Sequence, residues 1–512
     1  MPFGIYTSHR TISPHEIIIR LFPSARRARH LRSLFRIATP CFLAMVAISC
    51  GDGAGIQPGG SAVTFSNASL KGQYAFSFVG TDTLGQALLA GTFLSDGDGN
   101  ITSGMEDSNA ISGIVTNRPF TGVYSVGTDG RGSATVTNTQ GQSHFQFVVV
   151  SVSRALIIQF DTFASGSGSI DLQDPTAFNP SAFSGAYVCN FAGFSAFGSS
   201  YVAAGVLAAD GRGTLSGVID ENDGNFNPNL LLRGTYAVAP SGRGTATMST
   251  SSGTSHFSFY VLSSSALNFI ELDSLPAVSG IARAQQGGPF ANSSFSGDYA
   301  FGIGGQTSNG PFASAGRMTA DGRGAISAGV RDDNDTFTVT QNLTFSGTYT
   351  VSTVGRGIGT LSSSIASYSV VFYMISPTEA VLMSSDPQLV SIGEMKGQQG
   401  MPFSNSSIQG HFGSLDSIFN GGLEQDVVSQ ITADGGGNGI GMQDLNAGLI
   451  PTPSLALTAT YSTDSNGRVL ANLSNLQGQS KIALYLASPS RGYLVGLDPG
   501  IAERGRLEKQ SQ

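Results

Sequence analysis

Gly72-Gln73-Tyr74-Ala75-Phe76-Ser77-Phe78, followed by Ser95-Asp96-Gly97-Asp98-Gly99-Asn100, is the stretch whose reading decides the fold. Large apolar side chains occupy every second position, the period of a strand with one buried face. Asp96-Gly97 then marks a tight reversal. The same alternation returns at His144-Phe145-Gln146-Phe147, with Gly130-Arg131-Gly132 as a second turn before it. No segment carries a helical apolar stripe, so there is no crossover helix and the sheet should be antiparallel. In the first unit the pattern predicts eight strands, near 72–79, 86–94, 100–107, 120–126, 132–138, 144–151, 154–161 and 167–173.

Working outward, the unit recurs four times. Phe65, Phe178, Phe290 and Phe403 open it, and the Asp-Gly turn returns at Asp210, Asp321 and Asp434. Each copy has Gly-x-x-Asp-x-Asn: Asp107/Asn109, Asp220/Asn222, Asp332/Asn334 and Asp444/Asn446. The Gly-Arg turn returns at Arg243, Arg356 and Arg468. Ser151, Ser263, Ser376 and Ser488 each precede an Asp by ten: Asp161, Asp273, Asp386 and Asp498. The chain therefore divides into 1–49, 50–64, and repeats at 65–177, 178–289, 290–402 and 403–512.

The expected fold is all-β: four tandem antiparallel meanders of about eight strands. An up-and-down barrel, as in the lipocalin and avidin classes, leaves no exposed edge. A β-sandwich is the alternative. One large propeller would need blades of roughly 56 residues, long for a four-stranded blade. A membrane-spanning barrel would need longer lipid-facing strands. Short linkers containing Pro or Gly predict four beads on a semi-rigid line.

Residues 1–49 form a different segment. They hold seven Arg against Glu16, then an apolar run 37–48 that is too short to span a bilayer. This is the form of a secretory signal, and translation starting near Leu31 would give it ordinary length. Ala47-Ile48-Ser49-Cys50 resembles the lipobox of bacterial lipoproteins, which implies diacylation at Cys50. Residues 51–64 then read as a flexible tether. Of 26 basic and 34 acidic residues, the chain after residue 49 keeps 19 and 33, a net charge of −14. That balance opposes nucleic-acid binding, which needs a basic footprint. It leaves the membrane as a partner through the lipid anchor.

The candidate sites are weak. His144 and His256 are equivalent and face away from the core, but later copies have Ser369 and Lys481 there. His411 stands apart, and no zinc spacing occurs. Cys189 aligns with Phe76 and Phe301 and reads as a buried core thiol. The recurrent Ser with its Asp lacks a base and reads as a turn residue. Asp96-Gly97-Asp98-Gly99-Asn100 begins like a calcium loop, but the seventh-following Glu is replaced by Asp107. The Gly-Arg turns read as hairpin tips with a solvated Arg.

The best candidates are the twelve recurrent polar residues: Asp107, Asn109, Asp161, Asp220, Asn222, Asp273, Asp332, Asn334, Asp386, Asp444, Asn446 and Asp498. Strands three and seven run the same way, so these should share one rim of each barrel. They would either initiate loops by Asx bonding or bind a polar ligand. No catalytic constellation, metal site or cofactor site is predicted.

The phrases Gly-x-Tyr-x-Phe, Ala-Asp-Gly-x-Gly, Gly-Thr-Tyr and His-Phe-x-Phe, spread over about 65–510, resemble the tandem-repeat secreted lipoproteins of uncharacterised function abundant in acidobacteria. The resemblance implies export to the bacterial cell envelope, lipid-anchored at the outer membrane, and supplies no catalytic residues. The expected role is non-enzymatic: structural, or multivalent binding to a polysaccharide or surface protein. The alternative is a carrier of small apolar ligands inside lipocalin-like barrels.

Overall fold

The computed structural model describes residues 63–195, 199–274 and 277–512. The signal segment, Cys50 and most of the tether lie outside them. Barrel 1 contains β1 (Lys71–Asp82), β2 (Gly85–Asp96), β3 (Asn100–Ala110), β4 (Gly113–Val126), β5 (Arg131–Asn138), β6 (Gly141–Ser151), β7 (Arg154–Phe160) and β8 (Ala164–Leu172). Each strand pairs with the next, and β1 closes on β8 from Tyr74↔Leu172 to Asp82↔Ala164. Three more closed eight-stranded meanders follow, at 184–284, 296–397 and 409–509. The fold is thus all-β, four consecutive antiparallel barrels, and the sandwich and propeller alternatives are excluded.

Glycine and phenylalanine act together inside the barrels. The Phe120 ring lies over Gly104, where a Cβ would sit 2.2 Å from it. Phe147 covers Gly132, Phe259 covers Gly244 and Phe372 covers Gly357 in the same way. A ring laid on a glycine of the neighbouring strand fills the barrel without a void. This pairing accounts for part of the 68 glycines. At the Asp-Gly turns the reason is conformational: Gly97 and Gly99 have φ of 84° and 107°, while Asp96 Oδ1 accepts from the N–H groups of Asp98 and Asn100.

The four barrels form a closed ring, which corrects the expectation of a row of beads. At every junction the first and second strands of one barrel pack on the sixth and seventh strands of the next. Ala75, Leu88 and Ala90 meet Tyr260 and Ile270 between barrels 1 and 2. Val188, Val202 and Ala204 meet Val371 and Tyr373 between barrels 2 and 3. Ala300, Ala313 and Ala315 meet Tyr485 and Val495 between barrels 3 and 4. Leu415 and Val428 of barrel 4 return to Val148, Leu156 and Ile158 of barrel 1. A row would leave one such donor face and one acceptor face bare at its ends. A head-to-tail contact whose rotation closes joins them instead. Equivalent loops therefore fall on the same side of the ring.

Candidate functional site: the junctions of the ring

The recurrent Asp of the third strand is the centre of each junction. Asp107, Asp220 and Asp332 are each 0% exposed. Asp107 accepts from Arg243 of the next barrel, Nε to Oδ2 at 2.7 Å and Nη2 to Oδ1 at 3.0 Å. Tyr260 donates its hydroxyl at 2.6 Å, and the Asn117 N–H donates at 2.8 Å. The set repeats as Arg356, Tyr373 and Asn229 on Asp220. It repeats again as Arg468, Tyr485 and Asn342 on Asp332. The backbone donor needs a special conformation. Asn117, Asn229 and Asn342 sit at φ near 55° beside a break in the third-to-fourth strand register, and Asn tolerates this left-handed region.

A buried carboxylate is costly unless paired and hydrogen-bonded. Burial pushes the Asp107 carboxyl up, but Arg243, Tyr260 and the Asn117 N–H outweigh it and hold it below the usual carboxylate range. The reading of the Gly-Arg turns as solvated tips is corrected here. Arg243, Arg356 and Arg468 reach back from the turn to the neighbouring barrel's Asp, the strong bidentate geometry available to guanidinium.

The closing junction is built differently. Asp444 accepts from Arg131 Nη2 at 2.7 Å and from the Ser454 N–H at 2.8 Å. The tyrosine position is Val148, and Val428 fills the space that Ala90, Ala204 and Ala315 leave for a tyrosine ring. Ser165 donates instead to Asp426 at 2.6 Å, and the Ser167 and Ser417 hydroxyls lie 2.8 Å apart.

The recurrent Asn forms a second contact. Asn109 Nδ2 donates to the carbonyls of Glu271 and Asp273, at 2.9 and 2.8 Å. Asn222 reaches Ser384 and Asp386, Asn334 reaches Gly496 and Asp498, and Asn446 reaches Gln159 and Asp161. The residues expected on one rim thus meet, but between barrels. Within barrel 1, Asp107 and Asp161 both lie toward the end carrying the β3–β4 and β7–β8 loops. The Asp side chains of the second set bind locally: Asp161 lies 2.9 Å from His144 Nδ1, and Asp273 lies 3.0 Å from His256 Nδ1. Asp386 accepts from the Gln388 N–H and Asp498 from the Lys481 N–H.

A third contact was missed by sequence reasoning. Gln173, Gln285, Gln398 and Gln510 leave the eighth strand and donate Nε2 to the next barrel's sixth-strand carbonyls. The acceptors are Val261, Met374, Leu486 and, for the C-terminal Gln510, Val149 of barrel 1. Their recurrence at 112–113 residues was the available signal.

All four barrels also meet at the ring axis. Arg154 of barrel 1 pairs with Asp171 and with Glu508 of barrel 4. Arg491 of barrel 4 pairs with Glu394 of barrel 3, and Arg283 of barrel 2 pairs with Glu379 and Glu394 of barrel 3. Burial would raise the Glu508 carboxyl, but Arg154, Arg506 and Arg491 hold it down at about 2. A cavity of about 470 Å³ beside this network is lined by Val79, Tyr201, Gly304 and Arg504, one residue from each barrel among others.

The remaining candidates are placed plainly. Cys189 is fully buried, and burial raises its thiol to about 12, the state of an inert core cysteine. Ser151 Oγ accepts from the Ser153 N–H, a turn bond repeated at Ser263, Ser376 and Ser488. Asp96 is engaged within its own turn. Among the described residues, no group of three or more His, Cys, Asp or Glu is gathered as for a metal ion.

No known family profile matches the chain, and no curated protein matches it. Two solved structures of the vaccine antigen transferrin binding protein B from Haemophilus parasuis Hp5 are similar to it. A single tryptophan-to-alanine mutant matches at 9% identity and TM-score 0.19, covering 72% of this chain and 86% of that one. A double mutant matches at 10% identity and TM-score 0.20, covering 70% and 84%. These are distant likenesses of fold, and nothing about function is carried over from them.

Two outcomes follow for the junctions. Val148→Tyr alone overpacks against Val428 and destabilises by about 1–3 kcal/mol. Val148→Tyr with Val428→Ala recovers that loss by restoring the hydroxyl to Asp444, as urea midpoints will show; absence of rescue contradicts the assignment. The second concerns acid. A depressed carboxylate adds stability that is complete above its unfolded pKa of about 3.9 and is lost as pH falls through its folded value. The stability gap between the wild type and Asp107→Asn is therefore widest near pH 7 and shrinks below about pH 4. A gap that stays constant with pH counts against the bridge.

Proposed function

We propose that this chain is a non-enzymatic, lipid-anchored envelope protein whose rigid ring displays loops for multivalent contact with a surface protein. The observation that carries the reading is the position of exposed apolar side chains. Among the described residues, Leu84, Ile111, Phe163, Phe337, Ile365, Ile450 and Leu476 are exposed and lie in odd-numbered hairpin loops, against Val152 and Val354 in the even-numbered ones. Leu423 begins the strand that follows another such loop. Equivalent loops share one side of the ring, so these tips from barrels 1, 3 and 4 form one array. Exposed apolar groups arrayed on one face are the usual mark of an interaction surface.

A locked ring suits that role, because fixed spacing between weak contacts raises avidity without improving any one of them. Apolar tips without a single Trp favour a protein partner over a polysaccharide, for which indole is a common stacking platform. Lipidation at Cys50 would hold the ring at the envelope, most naturally the outer membrane. The alternative of a carrier in every barrel finds little support in barrels 1 and 2, whose interior cavities are about 50 and 30 Å³.

The test uses the processed ring without lipid, bound to whole cells of the producing organism. Replacing Leu84, Phe337, Leu423 and Leu476 by Ser is expected to cut cell binding at least tenfold while leaving the melting temperature within a degree or two. Protease treatment of the cells should abolish binding. Binding that resists protease and disappears on periodate treatment assigns a polysaccharide instead, and unchanged binding by the four-site variant overturns the reading. Cys50→Ser should abolish incorporation of a fatty-acid label.

A further inference from the structure

The four barrels share a backbone plan; barrels 2 and 3 keep part of its aromatic filling, with Cys189, Ile303 and Val370 in place of single rings, and the fourth departs furthest. Where barrel 1 has Phe76, Phe78, Phe145 and Phe147, barrel 4 has Ser414, Asp416, Ile482 and Leu484. Phe120 and Phe345 become Leu457. The lost rings leave an interior cavity of about 250 Å³. Its walls are mainly Leu, Ile and Val, and toward the β-hairpin at 475–480 it becomes polar, with Ser414, Asp416, Gln425, Gln443 and Glu503.

Two carboxylates at that end are not explained by the architecture. Asp416 is 8% exposed and accepts only from Ser414 Oγ, at 2.9 and 3.1 Å. Glu503 is 7% exposed, accepts no hydrogen bond, and lies against Gly496 on the barrel's inner face. The equivalent positions in barrels 1–3 are Gly166, Val278 and Ser391. Room is made for the pair: a Cβ on Gly505 would meet Asp416 Oδ1, and one on Gly496 would meet Glu503 Oε2. The one nearby cation with an electrostatic effect on Asp416 is Arg506, on the outward face of the neighbouring strand that carries Glu503. A buried acid with no partner is expensive in an apolar cavity. A second acid beside it compounds the cost unless a cation or a shared proton lies between them.

We propose that barrel 4 is a binding site for a small, mainly apolar ammonium compound, its hydrocarbon in the cavity and its N–H donors on Asp416 and Glu503. The site is independent of the apolar loop tips and does not rest on the surface reading above. At about 250 Å³ it accommodates a molecule on the order of ten non-hydrogen atoms, below the usual drug-sized pocket. Barrels 1–3 are filled aromatic supports by comparison, so one ligand per chain is expected.

The experiment is calorimetric titration of the full ring with phenethylammonium, with phenethyl alcohol and phenylacetate as matched neutral and anionic probes. The expected result is binding of one phenethylammonium per chain, at least tenfold tighter than the alcohol, and no binding of phenylacetate. Glu503→Gln and Asp416→Asn should each weaken the ammonium at least tenfold. Ser414→Phe, or Leu457→Phe should the first fail to fold, refills the cavity with the side chain that barrels 1 and 3 use and should abolish binding. Equal binding of alcohol and ammonium, no binding of either, or ammonium binding undiminished in the refilled variant overturns the proposal.

Discussion

A carboxylate taken wholly out of water must be met by donors, and in this protein the donors belong to another barrel. That constraint organises the ring. Asp107 sits on β3, but its Arg and Tyr partners come from the barrel that follows. No barrel can satisfy its own Asp by this set, and none can satisfy its own Arg. The apolar strands around the bridge have the same incompleteness, since β2 is buried along much of both faces. The pieces are therefore held by mutual need: apolar area supplies attraction, and the buried ion pair supplies register, because a slipped junction would leave a charge unpaired.

The barrels were legible from alternation, turn residues and the 112–113 residue period. The ring was not, for a reason of arithmetic. Every repeat carries both the Asp and the Arg, so Asp107 lies 24 residues from Arg131 in its own repeat and 136 from Arg243 in the next. A periodic sequence does not distinguish the two pairings. Closure is hidden in the same way, since Asp444 and Arg131 look like unpaired ends of a series until they meet. The Asp and Asn positions were singled out by recurrence, but their rim reading assumed each barrel to be self-contained. The recurrent Gln was passed over because it lies in what looked like a linker.

Composition acquires causes from this architecture. Only 12% of residues are charged, because the outer faces of the first, second, sixth and seventh strands are buried against neighbours and carry Ala, Val, Leu and Ile. Glycine is abundant both at tight turns and beneath aromatic rings. The departures from fourfold repetition are equally informative. The closing junction exchanges a Tyr–Ala pair for Val148 and Val428 and adds the serines around Asp426. Barrel 4 exchanges aromatic filling for a cavity with two acids. The first change is shared between repeats 1 and 4, which meet where the ring closes, and the second falls in repeat 4 alone.

Ring closure is tested most directly across the junction between barrels 4 and 1, whose facing residues are 250 apart in sequence. The Ser167 and Ser417 hydroxyls lie 2.8 Å from each other, so thiols placed there would be near neighbours that a short further approach joins. With both changed to Cys, the chain should form an intramolecular disulfide under mild oxidation, seen as a monomer of lowered mass by two hydrogens in non-reducing mass spectrometry. A chain that stays reduced while folded, or that links only to a second copy, would contradict the closed ring.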